Sequence, residues 1–133
     1  LTEDVAYLIG LSFGTMAQQQ GQTQVVVGRD GRHSGVSLIK ALSEGLMASG
    51  CDVIDLGQVP TPVLYFATHK LKTGTGIMVT GSHNPPDYNG FKMMLAGDTL
   101  AEEKIQSLLF LIQTETFQYG EGTYEACNLI DSY

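Results

Sequence analysis

Residues 24–56 read QVVVGRDGRHSGVSLIKALSEGLMASGCDVIDL, and this stretch decides the fold. The β-branched run at 24–28 predicts a short buried strand, and the alternation at 52–56 predicts a second strand. Between the two strands, the apolar positions of residues 35–49 recur at helical spacing, and Gly50 ends the predicted helix. Alternation of strands and helices is typical of an α/β domain with a largely parallel sheet.

The flanking sequence continues this alternation in both directions. Helical spacing predicts one helix over 3–19 and another over 100–114. Between residue 56 and the second of these helices, the sequence predicts a helix over 63–71 and strands over 76–80 and 91–95. The short connection into the last of these strands allows an antiparallel pair. We therefore predict a three-layer α/β/α domain with a mixed, mostly parallel sheet of about four strands.

The composition excludes several classes of protein. Hydrophobic residues make up 43% of the 133 residues and charged residues 16%, which provides a core and excludes intrinsic disorder. No apolar run approaches the roughly 20 residues that span a bilayer, so we predict no membrane partner. The two cysteines, Cys51 and Cys127, cannot form a disulfide scaffold, which predicts a reducing, cytoplasmic location.

The charge of the chain is acidic overall but unevenly distributed. The net charge of −7 argues against nucleic acid as a partner. Residues 1–95 contain seven acidic and six basic residues, whereas residues 96–133 contain seven acidic residues and one basic residue. Arg29, Arg32 and Lys92 lie in or beside the Gly-rich loops. An acidic chain can therefore still present a basic pocket to an anion.

Ser82 is the strongest candidate for chemistry. It follows a predicted buried strand and Gly81, so its hydroxyl is expected to project from a tight, exposed loop. A glycine at this place lets backbone N–H groups turn toward an anion, as they do in phosphate-binding loops. His83 and Lys92 can supply positive charge or a proton. The sequence therefore predicts a site for phosphate chemistry around Ser82.

The same stretch has an ordinary interpretation, a serine in a polar turn between two strands. Two prolines restrict this loop, however, and the side chains of Asn84, Asp87 and Asn89 can hydrogen-bond within it. Such rigidity exceeds what a simple connection requires and favours a functional loop. The loops at 28–35 and 80–90 both follow strands, so they are predicted to meet at the carboxyl edge of the sheet, where ligands bind in α/β folds.

Three segments of the sequence resemble one enzyme family. Residues 80–92, TGSHNPPDYNGFK, resemble the phosphoserine loop of the α-D-phosphohexomutases, in the form typical of bacterial phosphomannomutase/phosphoglucomutase. Residues 28–35, GRDGRHSG, and residues 59–65, VPTPVLY, resemble two further segments of that family in the same order. The resemblance covers about residues 24–95.

The resemblance implies an enzyme that interconverts the 1-phosphates and 6-phosphates of mannose, glucose or both. In the implied reaction Ser82 carries a phosphate and donates it to the hexose phosphate. After the hexose 1,6-bisphosphate reorients, Ser82 takes back the other phosphate. The implied catalytic residues are Ser82, His83 and Lys92, with Lys92 assisting proton transfer. The residues implied to support the phosphate loop are Arg29, Asp30, Arg32, Asn84 and Asn89.

The metal, sugar and second phosphate loops of the family have no counterpart in these 133 residues. We therefore expect residues 1–119 to be domain 1 of such an enzyme. Residues 120–133, in which 123–130 fit either a strand or a linker, are expected to lead toward domain 2. Mg²⁺ is implied as the cofactor of the full-length enzyme, held through the phosphate on Ser82. Without domains 2–4, neither ordered Mg²⁺ nor activity is expected.

Two alternative functions stay open at the level of the sequence. Phosphoglucosamine mutase resembles this family branch in fold, and the sugar loop that would separate the two is absent. A non-catalytic phosphate-binding module could use the same loop. His83 and Lys92 favour the enzyme over the module, because simple binding does not require a proton donor.

Overall fold

The computed structural model describes residues 2–30, 34–71, 73–80 and 91–127. Helices and strands alternate along these residues, which confirms the predicted α/β pattern. In chain order they are α1 (Glu3–Gln19), β1 (Gln24–Arg29), α2 (Ser34–Ala48), β2 (Asp52–Gln58), α3 (Thr61–Lys70), β3 (Gly76–Val79), β4 (Phe91–Leu95), β5 (Asp98–Thr99), α4 (Glu102–Thr114) and β6 (Tyr124–Ala126).

The strands form a mixed sheet in the order β5-β4-β3-β1-β2-β6. Strand β1 pairs in parallel with both β2 and β3, and β6 pairs in parallel with β2. Strands β4 and β5 add antiparallel pairs beyond β3. The mixed, mostly parallel sheet is therefore confirmed. The predicted number of about four strands is wrong, because the described residues form a sheet of six.

The two additional strands lack the signals on which strand prediction depends. Strand β5 forms a hairpin with β4 through Ala96 and Gly97, whose φ angles of 51° and 91° are both positive, as in a type I′ turn. Asn-Gly is the usual signature of that turn, and a non-glycine residue at positive φ is uncommon. Strand β6 is exposed at every position, so its sequence shows no apolar alternation.

Two hydrophobic cores, one on each face of the sheet, give the protein three layers. On one face, α1, α2 and α4 contribute to a core that includes Phe13, Val27 and Phe91. On the other face, α3 packs against Val26 and Met78. Phe13 and Phe91 are at most 1% exposed, and burial of such a side chain contributes roughly 1.5–3 kcal/mol. None of the helices in the described ranges has both the length and the apolar character needed to cross a bilayer.

The residues after α4 return to the sheet past the end of α2. The N–H groups of Gly120 and Gly122 donate to the carbonyl oxygens of Ala48 and Met47 at 2.8 and 2.9 Å. These bonds satisfy acceptors that the end of a helix leaves open. The chain then enters β6, so the ambiguous C-terminal stretch contains a strand. Its course toward a further domain stays a prediction, and residues 128–133 lie outside the described ranges.

Candidate functional site

The candidate site lies where β1 and β3 end beside each other. In their parallel register Gly28 pairs with Met78 and Arg29 pairs with Val79, so both strands reach the same edge of the sheet. Beyond the last pair, the N–H of Asp30 donates to the carbonyl oxygen of Val79 at 3.1 Å. This is the carboxyl end of the parallel strands, where α/β sheets generally bind ligands.

Asp30 and Thr80 join the chain ends at this edge. Oγ1 of Thr80 donates a hydrogen bond to Oδ2 of Asp30 at 2.7 Å. The end of β2 is connected to the same edge, because the N–H of Val59, the residue after this strand, donates to the carbonyl oxygen of Arg29 at 2.8 Å. Gly28 permits this close approach, since a Cβ there would lie 3.0 Å from Cγ2 of Val59. The residues that lead into the loops are therefore held by contacts between neighbouring strands.

Lys92 lies at the same edge, on the strand beyond β3. It pairs with Met78 across the antiparallel β3–β4 ladder, and Met78 pairs in turn with Gly28. Directly opposite residues share a face, so half-buried Lys92 lies with Met78 on the face that α3 covers. Arg29, which pairs with Val79, thus lies at the same edge as Lys92 but on the other face of the sheet, and Asp30 follows directly after it.

The structure brings part of the predicted site together. Arg29, Asp30 and Lys92 share one edge of the sheet. Thr80 is not among the predicted site residues, although it opens the segment 80–92 that resembles the phosphoserine loop and directly follows a buried strand. The roles predicted for the remaining site residues stay predictions, because these residues lie outside the described ranges: Arg32, Ser82, His83, Asn84 and Asn89.

The described residues at this edge do not by themselves supply the ligands of a magnesium site. Mg²⁺ prefers near-octahedral oxygen ligation, usually with one or two carboxylates together with phosphate oxygens. Among the residues that the structure describes, no group of three or more His, Cys, Asp or Glu side chains could hold a metal ion. The carboxylate of Asp30 accepts the hydrogen bond from Thr80.

Comparison with known proteins identifies the family. Residues 1–119 match the family model described as phosphoglucomutase/phosphomannomutase, alpha/beta/alpha domain I. The chain belongs to this family. The resemblance to the phosphohexomutases is thereby confirmed, and so is the three-layer α/β/α architecture.

Members of the phosphoglucomutase/phosphomannomutase family align along most or all of the chain. The phosphomannomutase/phosphoglucomutase of Pseudomonas putida is 49% identical over 133 residues, which are 100% of this chain and 29% of that protein. The phosphoglucomutase of Neisseria meningitidis serogroup A is 52% identical over 117 residues, which are 88% of this chain and 25% of that protein. A crystal structure of a phosphoglucomutase/phosphomannomutase family protein from Burkholderia thailandensis superimposes with a TM-score of 0.91 at 48% identity, over 100% of this chain and 31% of that one. The chain therefore spans less than a third of the length of these relatives.

Proposed function

We propose that this chain is the phosphoserine-bearing domain of a phosphohexomutase that interconverts hexose 1-phosphate and hexose 6-phosphate. One observation carries the proposal: the whole chain aligns at 49% identity with a protein named phosphomannomutase/phosphoglucomutase. Mannose and glucose phosphates are accordingly the proposed substrates. Further domains of a longer chain would supply the sugar and metal contacts.

The proposed reaction consists of two phosphoryl transfers. In the first, the bond between phosphorus and Oγ of Ser82 breaks, and a bond forms between phosphorus and a hydroxyl oxygen of the hexose phosphate. The proton of that hydroxyl ends on Oγ of Ser82. The hexose 1,6-bisphosphate then reorients, and its other phosphate returns to Ser82 by the reverse exchange. Phosphoryl transfer of this kind depends on positioning and charge neutralisation more than on further covalent chemistry.

The edge of the sheet supports this proposal with positive charge and fixed geometry. Lys92 is proposed to assist proton transfer between the sugar hydroxyl and Ser82, with His83 as a second source of charge or of a proton. Arg29 and Asp30, which lie beside the end of β3, are proposed to support the phosphate loop. A non-catalytic phosphate-binding module would not need Lys92 for proton transfer.

The proposed function is tested by finding the residue that carries phosphate. A longer mutase chain that contains residues 1–133 is incubated with hexose 1,6-bisphosphate labelled in its phosphates, and its peptides are analysed by mass spectrometry. We expect the label on the peptide that contains Ser82. The Ser82→Ala variant is expected to lose both the label and mutase turnover.

The matched control is Ser107→Ala, which removes an exposed hydroxyl on α4 that donates to the carbonyl oxygen of Glu103. This variant should keep both the label and the turnover. Label on another residue, or label that persists in Ser82→Ala, contradicts the proposed function. A phosphate-binding module would bind inorganic phosphate but show neither label nor turnover.

We also propose a cytoplasmic location for this enzyme. Cys51 is buried, Cys127 is half-buried, and both are free thiols. A reducing compartment maintains cysteines in this state.

A further inference from the structure

We infer that Thr80 is a positioning residue for the phosphoserine loop and that it acts through its hydrogen bond to Asp30. The inference rests on the function proposed above and deepens it, because it gives a role to a side chain outside the proposed catalytic set. The contact that carries it joins residues 50 positions apart in the sequence. Oγ1 of Thr80 donates to Oδ2 of Asp30 at 2.7 Å.

This hydrogen bond lies beyond the end of the parallel ladder. Among the described residues, the N–H of Asp30 donates to the carbonyl oxygen of Val79 at 3.1 Å, one residue past the last paired positions of β1 and β3. Past that contact, the Thr80 side chain ties the chain to β1 as it leaves β3. Ser82 follows Thr80 by two residues, which is about 7 Å of extended chain at most. The position of Thr80 therefore limits where the Ser82 hydroxyl can lie.

The chemistry of the two side chains suits a positioning role. Threonine is β-branched and has few χ1 rotamers, so a fixed Oγ1 also restrains the backbone of Thr80. Asp30 accepts through a carboxylate, and hydrogen bonds to a charged acceptor are shorter and stronger than neutral ones. A carboxylate beside a phosphate loop is otherwise unfavourable, because like charges repel. The contact with Thr80 gives a role at this edge to the carboxylate of Asp30, which directly follows Arg29.

The stability of the fold does not explain the pair. Asp30 is exposed and Thr80 is half-buried, whereas the nearby strand residues Val27, Ile77 and Val79 are at most 3% exposed. Burial of those apolar side chains contributes far more to the free energy of unfolding than an exposed polar contact does. Loss of the Thr80 hydroxyl should therefore lower the rate of phosphoryl transfer more than the stability.

The inference is tested with Thr80→Val in the longer mutase chain, since valine keeps the shape and removes the hydroxyl. We expect kcat to fall about 10–100-fold and KM to stay within about threefold, because a displacement on the order of 1 Å costs about 100-fold in a positioned reaction. Thr80→Ser, which restores the hydroxyl, should return kcat to within about threefold of wild type. The control Thr114→Val removes an exposed hydroxyl on α4 that donates to the carbonyl oxygen of Phe110 at 2.8 Å, and it should leave kcat unchanged.

A double-mutant cycle then assigns the effect to this hydrogen bond. If Thr80 acts through Asp30, adding Thr80→Val to Asp30→Ala should lower kcat no further. The inference is overturned by a wild-type kcat in Thr80→Val, by effects that add in the double variant, or by a loss confined to KM. The inference is also overturned if Thr80→Val lowers the free energy of unfolding by as much as it raises the activation free energy, and Thr80→Ser reverses neither change. Failure of the proposed function looks different, because Ser82→Ala would then keep its label or its turnover.

Discussion

At the scale of single residues, the carboxylate of Asp55 holds the C-terminal strand in place. Its Oδ1 accepts a hydrogen bond from the N–H of Gly57 at 2.8 Å, and its Oδ2 accepts one from the hydroxyl of Tyr124. The hydrogen bond to Asp55, followed by partial burial, raises the pKa of Tyr124 to about 12. A side chain of β2 therefore joins β6 to the sheet through a contact whose strength depends on pH.

We expect Tyr124→Phe to lower the free energy of unfolding by about 1 kcal/mol near neutral pH, the usual net contribution of one hydrogen bond. The pKa of a tyrosine in the unfolded chain is near 10, whereas that of Tyr124 in the fold is about 12. Because the folded value is higher, the protonated phenol stabilises the fold fully below about pH 10, and this stabilisation is lost as the pH rises through about 12. The difference between wild type and variant in urea denaturation should shrink across that range.

Tyr119→Phe is the control for this measurement, because Tyr119 is 69% exposed and phenylalanine keeps its ring. It should change the stability little at any pH. A stability difference for Tyr124→Phe that is the same at pH values below 10 and near 12 would contradict the assignment to the bond with Asp55.

At the scale of the elements, the contact between α1 and α2 depends on glycine. A Cβ on Gly45 would lie 2.1 Å from the carbonyl oxygen of Tyr7, and a Cβ on Gly10 would lie 2.3 Å from the carbonyl oxygen of Leu42. Both neighbouring atoms belong to helix backbone, so they cannot turn away as the end of a flexible side chain could. The two helices therefore approach too closely for any side chain at these positions.

We expect Gly45→Ala to destabilise the fold by about 3 kcal/mol, although alanine is about 1 kcal/mol better than glycine in a helix interior. The overlap with Tyr7 forces α1 and α2 apart and disturbs the core beneath them. Urea denaturation measures the effect, with Glu44→Ala as the control on an exposed position of the same helix. The control should stay within about 0.5 kcal/mol of wild type. A Gly45→Ala variant as stable as the control would show that the helices can separate without loss.

Elements with a periodic apolar pattern could be predicted from the sequence, whereas contacts between distant residues could not. The helix predicted over 3–19 and the strand predicted over 91–95 have those bounds in the structure. Strand β5 depends on a turn with positive φ at Ala96, and β6 depends on pairing with distant β2, neither of which gives a local pattern. The contact between Thr80 and Asp30 at the site could not be predicted either, because it depends on the register in which β1 and β3 pair.

At the scale of the whole molecule, acidic residues are concentrated in the last part of the sequence, whereas the two basic residues of the carboxyl edge belong to the first part. Residues 96–133, which contribute β5, α4 and β6, hold seven acidic residues and one basic residue. Arg29 and Lys92 belong to the first 95 residues, where charges nearly balance, and they lie at the carboxyl edge. A protein of net charge −7 can thus offer a phosphate group local positive charge.

We expect residues 1–133, produced alone, to fold but to interconvert mannose 1-phosphate and mannose 6-phosphate at least about 10⁴-fold more slowly than the longer mutase chain. Positioning supplies roughly 7–11 kcal/mol of barrier lowering in a reaction of this type, and the chain spans 29% of the Pseudomonas putida relative. The cores on both faces of the sheet are formed by residues of this chain, whereas the proposed function assigns the sugar contacts to further domains of a longer chain. Phosphorus NMR of the sugar phosphates measures the turnover, and cooperative urea unfolding of the same sample shows that the chain is folded. Turnover within about tenfold of the longer chain, abolished by Ser82→Ala, would mean that this domain positions the hexose phosphate by itself.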